Sequence, residues 1–373
     1  LNNRVSAGPS LRIPPQESIK EWDMVVIGGD SHKRTHTFVA VDEVGRRVAE
    51  KTVPATTDGH LAALAWAGQW SDRRWALEDC RHLTRRLEGD LLRAGEAIVR
   101  VPPKMMAAER RGTRSPGKSD PIDAEAVARA ALRDDDLPVA RLEGEARKVK
   151  LLVDHREDLV AERTRMQARL RWHLHELMPE LDLAPKALNK FCHLDRVAVA
   201  LAGFDGAVAS IAGELVERIR DLTVRCNQLE REITAIVKVL VPTLLELPGC
   251  GPLTAAKIVG EVAGADRFKT KAAFARWNGT APIPVWTGSE KFRLSRGGNR
   301  QVNAALHRIA ITQWRGVGPG RAFIEARMAA GKTKTAAIRL LRRRLSDEVL
   351  RRLLIDHAAT SCGGQESALP IAA

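Results

Sequence analysis

The sequence predicts an α/β domain at its N-terminal side and a mainly helical remainder. Two observations carry this. Residues 24–135 alternate between short apolar runs and helical stretches. Residues beyond 143 hold two long charged stretches with apolar residues at helical spacing, then a Pro- and Gly-punctuated unit. In order, Met24–Gly28 reads as a buried strand, and Thr37–Val41 and Arg47–Val53 follow at hairpin spacing. Asp58–Trp70 is helical, Arg74–Leu77 a short strand, His82–Ala94 a helix, Ala97–Val101 a strand and Asp120–Leu132 a helix. The order β-β-β-α-β-α-β-α is that of an RNase H-like domain.

Glu143–Met178 carries apolar residues at Leu152, Leu159, Met166 and Leu170, and Pro179 and Pro185 break it. Val208–Leu240 has Ile211, Leu215, Ile219, Leu222, Leu229, Ile233 and Ile236 near heptad spacing. Two such helices suggest a coiled coil, antiparallel within the chain or between chains, or an ordinary bundle. The expected organisation is an N-terminal extension at 1–23, the RNase H-like domain at 24–140 and a helical coiled-coil region at 141–242. A C-terminal unit follows at 243–330, then a basic helical tail with a disordered end at 331–373.

Composition narrows the function. Lys and Arg total 60 against 46 Asp and Glu over 373 residues, a formal charge of +14. Such an excess favours a polyanionic partner. No apolar run approaches the roughly 18 residues a spanning helix needs, which leaves nucleic acid ahead of a membrane. The five cysteines, at 80, 192, 226, 250 and 362, are scattered and form no C-x-x-C pair. That argues against a disulfide framework or a zinc site and for a reducing cytoplasm, with a nucleoid-associated location following from the partner. Tyrosine is absent, so a tyrosine nucleophile is excluded.

The run Gly117-Lys118-Ser119-Asp120-Pro121-Ile122-Asp123 opens the last helix of the first domain with two carboxylates on one face. Ser119 also suits a helix N-cap, with acids favoured by the dipole. Upstream lies a basic stretch, Lys104 to Lys118, with Arg110, Arg111 and Arg114. Asp30 sits just past the first strand and Glu78 just past the fourth, with Asp79 as a rival to Glu78. In an RNase H-like sheet those strand ends are neighbours and the last helix crosses them. Asp30, Glu78, Asp120 and Asp123 then converge on one or two hard cations, for which oxygen ligands favour Mg²⁺. Two ions about 4 Å apart would clamp the attacking and leaving oxygens of a phosphodiester.

Leu247-Pro248-Gly249-Cys250-Gly251-Pro252 reads as the turn of a helix-hairpin-helix, where Gly249 and Gly251 let backbone N–H groups meet a phosphate. A Pro-broken loop presenting hydroxyls follows at Gly279–Ser289. A basic, Gly-flexible segment with Arg293, Arg296, Asn299 and Arg300 is next, suited to holding phosphate. Asn303, His307 and Arg308 recur on the helix after it.

Together these residues resemble the insertion-sequence 110/116/902 family of transposases, the DEDD-type recombinases guided by a bridge RNA. The resemblance runs over about residues 24–330, through Asp30, Glu78 and S-D-P-I-D at 119–123, then P-G-C-G-P-L-T-A-A at 248–256, G-T-A-P at 279–282 and R-G-G-N-R at 296–300. It implies a RuvC-type RNase H-like domain with a metal-bound acidic site. It also implies a covalent DNA intermediate on a C-terminal serine, a structured guide RNA, and a tetramer built through the central helices with active sites composed from two subunits. The family serine lies in an S-G pair, where this chain has Thr287-Gly288 with Ser289 just beyond. Position favours Thr287 as nucleophile and chemistry favours Ser289, because the β-branch of threonine restricts its rotamers. The competing functions are a junction-resolvase-like DNA nuclease, which needs no hydroxyl loop, and a nucleic-acid-binding relic whose four acids hold no metal.

Overall fold

The computed structural model describes residues 24–112, 119–134, 137–141, 144–285, 288, 292–294 and 297–363. The chain forms two compact units that divide at Leu142 and Glu143.

The first unit is built on five strands: β1 (Val25–Ser31), β2 (Thr35–Val41), β3 (Arg47–Pro54), β4 (Arg73–Glu78) and β5 (Ile98–Val101). Their order in the sheet is β3-β2-β1-β4-β5, with the first three antiparallel and β4 and β5 parallel to β1. Four helices join them: α1 (Thr57–Ala67), α2 (Arg81–Arg93), α3 (Pro103–Gly112) and α4 (Asp120–Arg133). This is the RNase H-like arrangement the sequence predicts.

Both faces of the sheet are covered, because side chains alternate across a strand. Val25 and Ile27 pack with Phe38, Trp75, Leu87 and Leu91 on the α1/α2 side. Val26 packs with Val39, Ala76, Ala124, Val127 and Ala128 on the α4 side.

Two expectations change. Asp30 lies inside β1 rather than past it, because the hairpin pairing continues to Ser31 opposite His36. Glu78 is likewise the last residue of β4, paired with Val101. In addition, the basic stretch from Lys104 begins as α3, started by Pro103, with Met105 and Met106 packed against the α4-side core.

The second unit is helical: α5 (Gly144–Leu177), a 3-10 turn at Ala187–Asn189, α6 (Phe191–Leu201), α7 (Ala207–Leu240), α8 (Pro242–Leu245), α9 (Pro252–Val262) and α10 (Lys271–Trp277). A two-stranded hairpin, β6 (Pro282–Pro284) and β7 (Phe292–Leu294), precedes α11 (Arg300–Trp314), α12 (Gly320–Ala329) and α13 (Lys334–Gly363). Helices α5 and α7 run antiparallel within the chain, as the pairs Arg156–Glu230 and Glu162–Arg218 show. Leu215, Ile219, Leu222, Leu229 and Ile233 of the near-heptad stripe are buried in this one chain, whereas Ile211 is exposed. Leu229 and Ile233 share one core with α9, α11 and α13. Buried Lys257 on α9 pairs with Asp154 and Glu157 on α5 at 2.9 and 2.8 Å. Among the described residues no helix is long and apolar enough to cross a membrane.

Candidate metal centre

The site begins with a strand lacking side-chain bulk where a helix must approach. On β1, Val26, Gly28 and Asp30 share the α4 face; on β4, Ala76 and Glu78 do. A Cβ on Gly28 would lie 2.1 Å from the carbonyl oxygen of Ala124 and 2.5 Å from the amide nitrogen of Ala128. The missing side chain therefore lets the backbone of α4 rest on β1, which carries its first turn over the end of the sheet. The parallel register that sets Gly29 beside Leu77 brings Asp30 and Glu78 to adjacent strand ends.

Asp30 and Asp123 are buried, Glu78 and Asp120 half-buried. Two of the four predicted acids meet at a residue the sequence argument left out. Nε2 of His32 lies 3.2 Å from Asp30 Oδ2 and 3.3 Å from Asp120 Oδ1. Asp30, His32 and Asp120 each offer one ligand atom, all within 4.8 Å of one another. Asp123 is held aside: its Oδ1 accepts a hydrogen bond from Nη1 of Arg110 at 3.0 Å. Glu78 flanks the group and shares a hydrogen bond with Cys80, whose thiol is pushed up to about 11 by burial first and then by Glu78. Asp79, the rival acid, is exposed, and its backbone N–H is tied to Val101.

The electrostatics would favour a cation. Burial, chiefly, raises the Asp30 carboxyl above its ordinary range; Asp120, Asp123 and Glu78 add to the rise, and His32 opposes it. Like charges at a buried strand end destabilise one another until a cation enters. Two carboxylate oxygens and one imidazole nitrogen suit a divalent ion, and the nitrogen suits Mn²⁺ better than Mg²⁺. His32 stands two residues after Asp30, just beyond β1, and nothing in the sequence alone sets it apart from an ordinary histidine.

The predicted phosphate contacts divide. Lys104 is exposed on α3, and Arg110 is engaged with Asp123. The side chain of Arg111, and Arg114, Lys118 and Arg296, lie outside the described residues, as do Thr287, Ser289, the 1–23 extension and the end of the chain from 364. In the hairpin turn Gly249 has φ of 84°, and a Cβ there would meet Ile309 O at 3.1 Å, so this turn packs on α11. Gly251 caps α9 in open surroundings. The helix before the turn, α8, is four residues long. Arg293 and Arg300 are exposed. Asn299 caps α11, its Oδ1 accepting from Val302 N at 2.9 Å, while its Nδ2 donates to Glu261 at 2.8 Å.

Comparison with known proteins gives two family matches. A DEDD transposase model matches residues 27–179, and a model described as "Transposase IS116/IS110/IS902 family" matches residues 241–324. An IS116 insertion-element protein of Streptomyces clavuligerus is 26% identical, covering 87% of this chain and 93% of that protein. An IS110 insertion-element protein of Streptomyces coelicolor is 27% identical over 53% of this chain and 61% of its own length. A probable family 20 transposase of Pseudomonas aeruginosa is 26% identical over 58% of this chain and 64% of its own length. Among solved structures, T. thermophilus RuvC in complex with a Holliday junction substrate aligns at 15% identity and a TM-score of 0.25, covering 31% of this chain and 99% of that one.

Proposed function

The chain belongs to the IS116/IS110/IS902 family of transposases, and from that premise we propose that it cuts and rejoins DNA to move an insertion sequence. The observation that carries the chemistry is the meeting of Asp30 and Asp120 at His32, with Glu78 and Asp123 beside them. In this reading Asp30, Asp120 and His32 hold a divalent cation, Mg²⁺ in the cell, and Arg110 keeps Asp123 in place. When bound, the ion would supply the positive charge that polarises the scissile phosphodiester and acidifies an attacking hydroxyl.

Rejoining DNA without an outside energy source requires that the cleaved phosphodiester be conserved as an ester. With tyrosine absent, the ester forms on a serine or threonine, and the S-G position of the resembling family points to Thr287 or Ser289. Its oxygen forms the new P–O bond and gives up its proton, and a deoxyribose oxygen leaves carrying a proton. Attack by a deoxyribose hydroxyl on the ester then restores DNA and frees the side chain. Exposed Lys104, Arg293 and Arg300 contact phosphates. A structured non-coding RNA guides the choice of DNA. The protein acts as a tetramer in which the hydroxyl loop of one subunit serves the acids of another; exposed Trp172 and Val239 on α5 and α7 supply apolar surface for it.

Strand exchange with element-end DNA, target DNA and guide RNA tests this. Asp30→Asn and Asp120→Asn should each lose at least about 100-fold in rate, as a lost metal clamp requires. A covalent protein–DNA adduct should be trapped from wild type and lost in Thr287→Ala or Ser289→Ala. Near-normal exchange in Asp30→Asn sinks the acidic site, whereas cutting without any adduct leaves a hydrolytic nuclease.

A further inference from the structure

Two helix faces in the second unit line up basic and amide side chains without acids. On α11, Arg300, Asn303 and His307 are three and four residues apart and share one face. On α13, Arg339 and Arg342 are three apart and share another. The faces join where Nη2 of Arg342 donates to Oδ1 of Asn303, whose Nδ2 in turn donates to the carbonyl oxygen of Asn278 at 2.8 Å. That second bond fixes the amide, so the guanidinium is held in one orientation. Arg300, His307 and Arg339 are exposed along the seam.

The rest of α13 shows what an occupied arginine looks like in this protein. Arg343 pairs with Asp347, Arg344 lies 4.4 Å over the Phe323 ring, and Arg351 and Arg352 both bond Glu348, at 2.6 and 2.7 Å. Among the described residues no ion pair is formed by Arg300, Arg339 or Arg342, and Nε of Arg342 is buried with no acceptor. Burial, then Arg339 and Arg300, pull the Arg342 guanidinium below its ordinary range; burial and then Arg342 do the same to His307. Cations gathered this way repel one another and leave a donor unsatisfied, a cost that an anion would remove.

We propose that Arg300, His307, Arg339 and Arg342 form a seat for a backbone phosphate of the DNA being recombined. The proposal rests on the transposase reading and adds residues to it. Its location favours DNA at the base of the β6–β7 hairpin. Asn278, which holds Asn303, is followed by Gly279, where a Cβ would meet Gly297 O at 2.6 Å. The segments entering β6 and leaving β7 therefore lie against each other beside the seam, and Thr287 and Ser289 fall in sequence between those two strands. A phosphate gripped here would set one strand of DNA at the root of that hairpin.

The test measures the Kd of the full-length protein for a short duplex of element-end DNA across a series of salt concentrations, with the structured RNA as a second arm. Arg339→Gln alters an exposed side chain; Arg342→Gln alters the half-buried one. Loss of one phosphate contact should lower the slope of log Kd against log salt by about 0.9. DNA affinity at low salt should fall about tenfold or more in the double variant, with RNA affinity unchanged. Unchanged slope and DNA affinity in both Arg339→Gln and the folded double variant overturn the seat, as does a loss confined to the RNA arm. Failure of the underlying reading looks different: wild type would then bind duplex DNA no better than an unrelated basic protein and exchange no strands.

Discussion

Gly28→Ala tests whether the approach of α4 to β1 builds the candidate metal centre. The added Cβ would sit 2.1 Å from Ala124 O, 2.5 Å from Ala128 N and 2.8 Å from Ala128 Cβ. The first two are backbone atoms and cannot turn away. Unstrained contact begins near about 3.5 Å, so α4 must recede by roughly 1.4 Å. The helix moves as a body and takes Asp120 with it, opening the arrangement in which His32 stands 3.2 and 3.3 Å from Asp30 and Asp120. Overpacking of this kind costs about 1–3 kcal/mol of stability. A displacement of about 1 Å at reacting groups costs on the order of 100-fold in rate. The matched control is Gly29→Ala, whose Cβ meets only side-chain atoms, Leu77 Cδ2 at 2.6 Å and Phe38 at 3.1 Å, on the other face of the sheet. Mn²⁺ titration followed by electron paramagnetic resonance, with thermal unfolding beside it, separates the two. Gly28→Ala should lose at least about tenfold in Mn²⁺ affinity, whereas Gly29→Ala should lose stability and keep the ion. Wild-type Mn²⁺ affinity in Gly28→Ala, or equal loss in both, would refute the reasoning.

His32→Ala removes the nitrogen donor and leaves the carboxylates, so calorimetry should show Mn²⁺ affinity falling about tenfold more than Mg²⁺ affinity; an unchanged ratio would mean that His32 is no ligand. Burial, with His60 and His32 adding to it, pushes His36 down to about 4. The unfolded chain binds that proton near pH ~6.5 and the folded one does not, so stability is full above ~6.5 and falls as the pH drops towards 4, by roughly 3 kcal/mol. Thermal unfolding at pH 7 and pH 5 should show about 2 kcal/mol of this loss in wild type and less in His36→Leu; equal losses would assign the acid sensitivity elsewhere.

The order of strands and helices in the first unit was legible without a structure, because a two-faced sheet and its covering helix impose local periodicities that a chain displays residue by residue. The places of Asp30, Glu78, Asp120 and Asp123 at or near element ends were legible too, but which of them meet was not. Local pattern does not carry the distances between elements. It stopped β1 at Gly28, because continuation to Ser31 depends on pairing with His36, a partner on another strand. It passed over His32, an ordinary histidine until Asp120 arrives from 88 residues away on α4. It showed a near-heptad stripe on α7 but not its partner, and packing places that partner, α5, in the same chain. It placed Arg110 in one basic stretch and Arg339 and Arg342 in a basic tail, with nothing to tell their roles apart. Only the packed chain tells them apart: Arg110 is neutralised by Asp123, while Arg339 and Arg342 face Arg300 and His307 with no ion-pairing acid among the described residues. Charge along a chain is set by composition, but whether a charge is already satisfied depends on which residues folding brings within hydrogen-bond reach, and that is decided by tertiary structure alone.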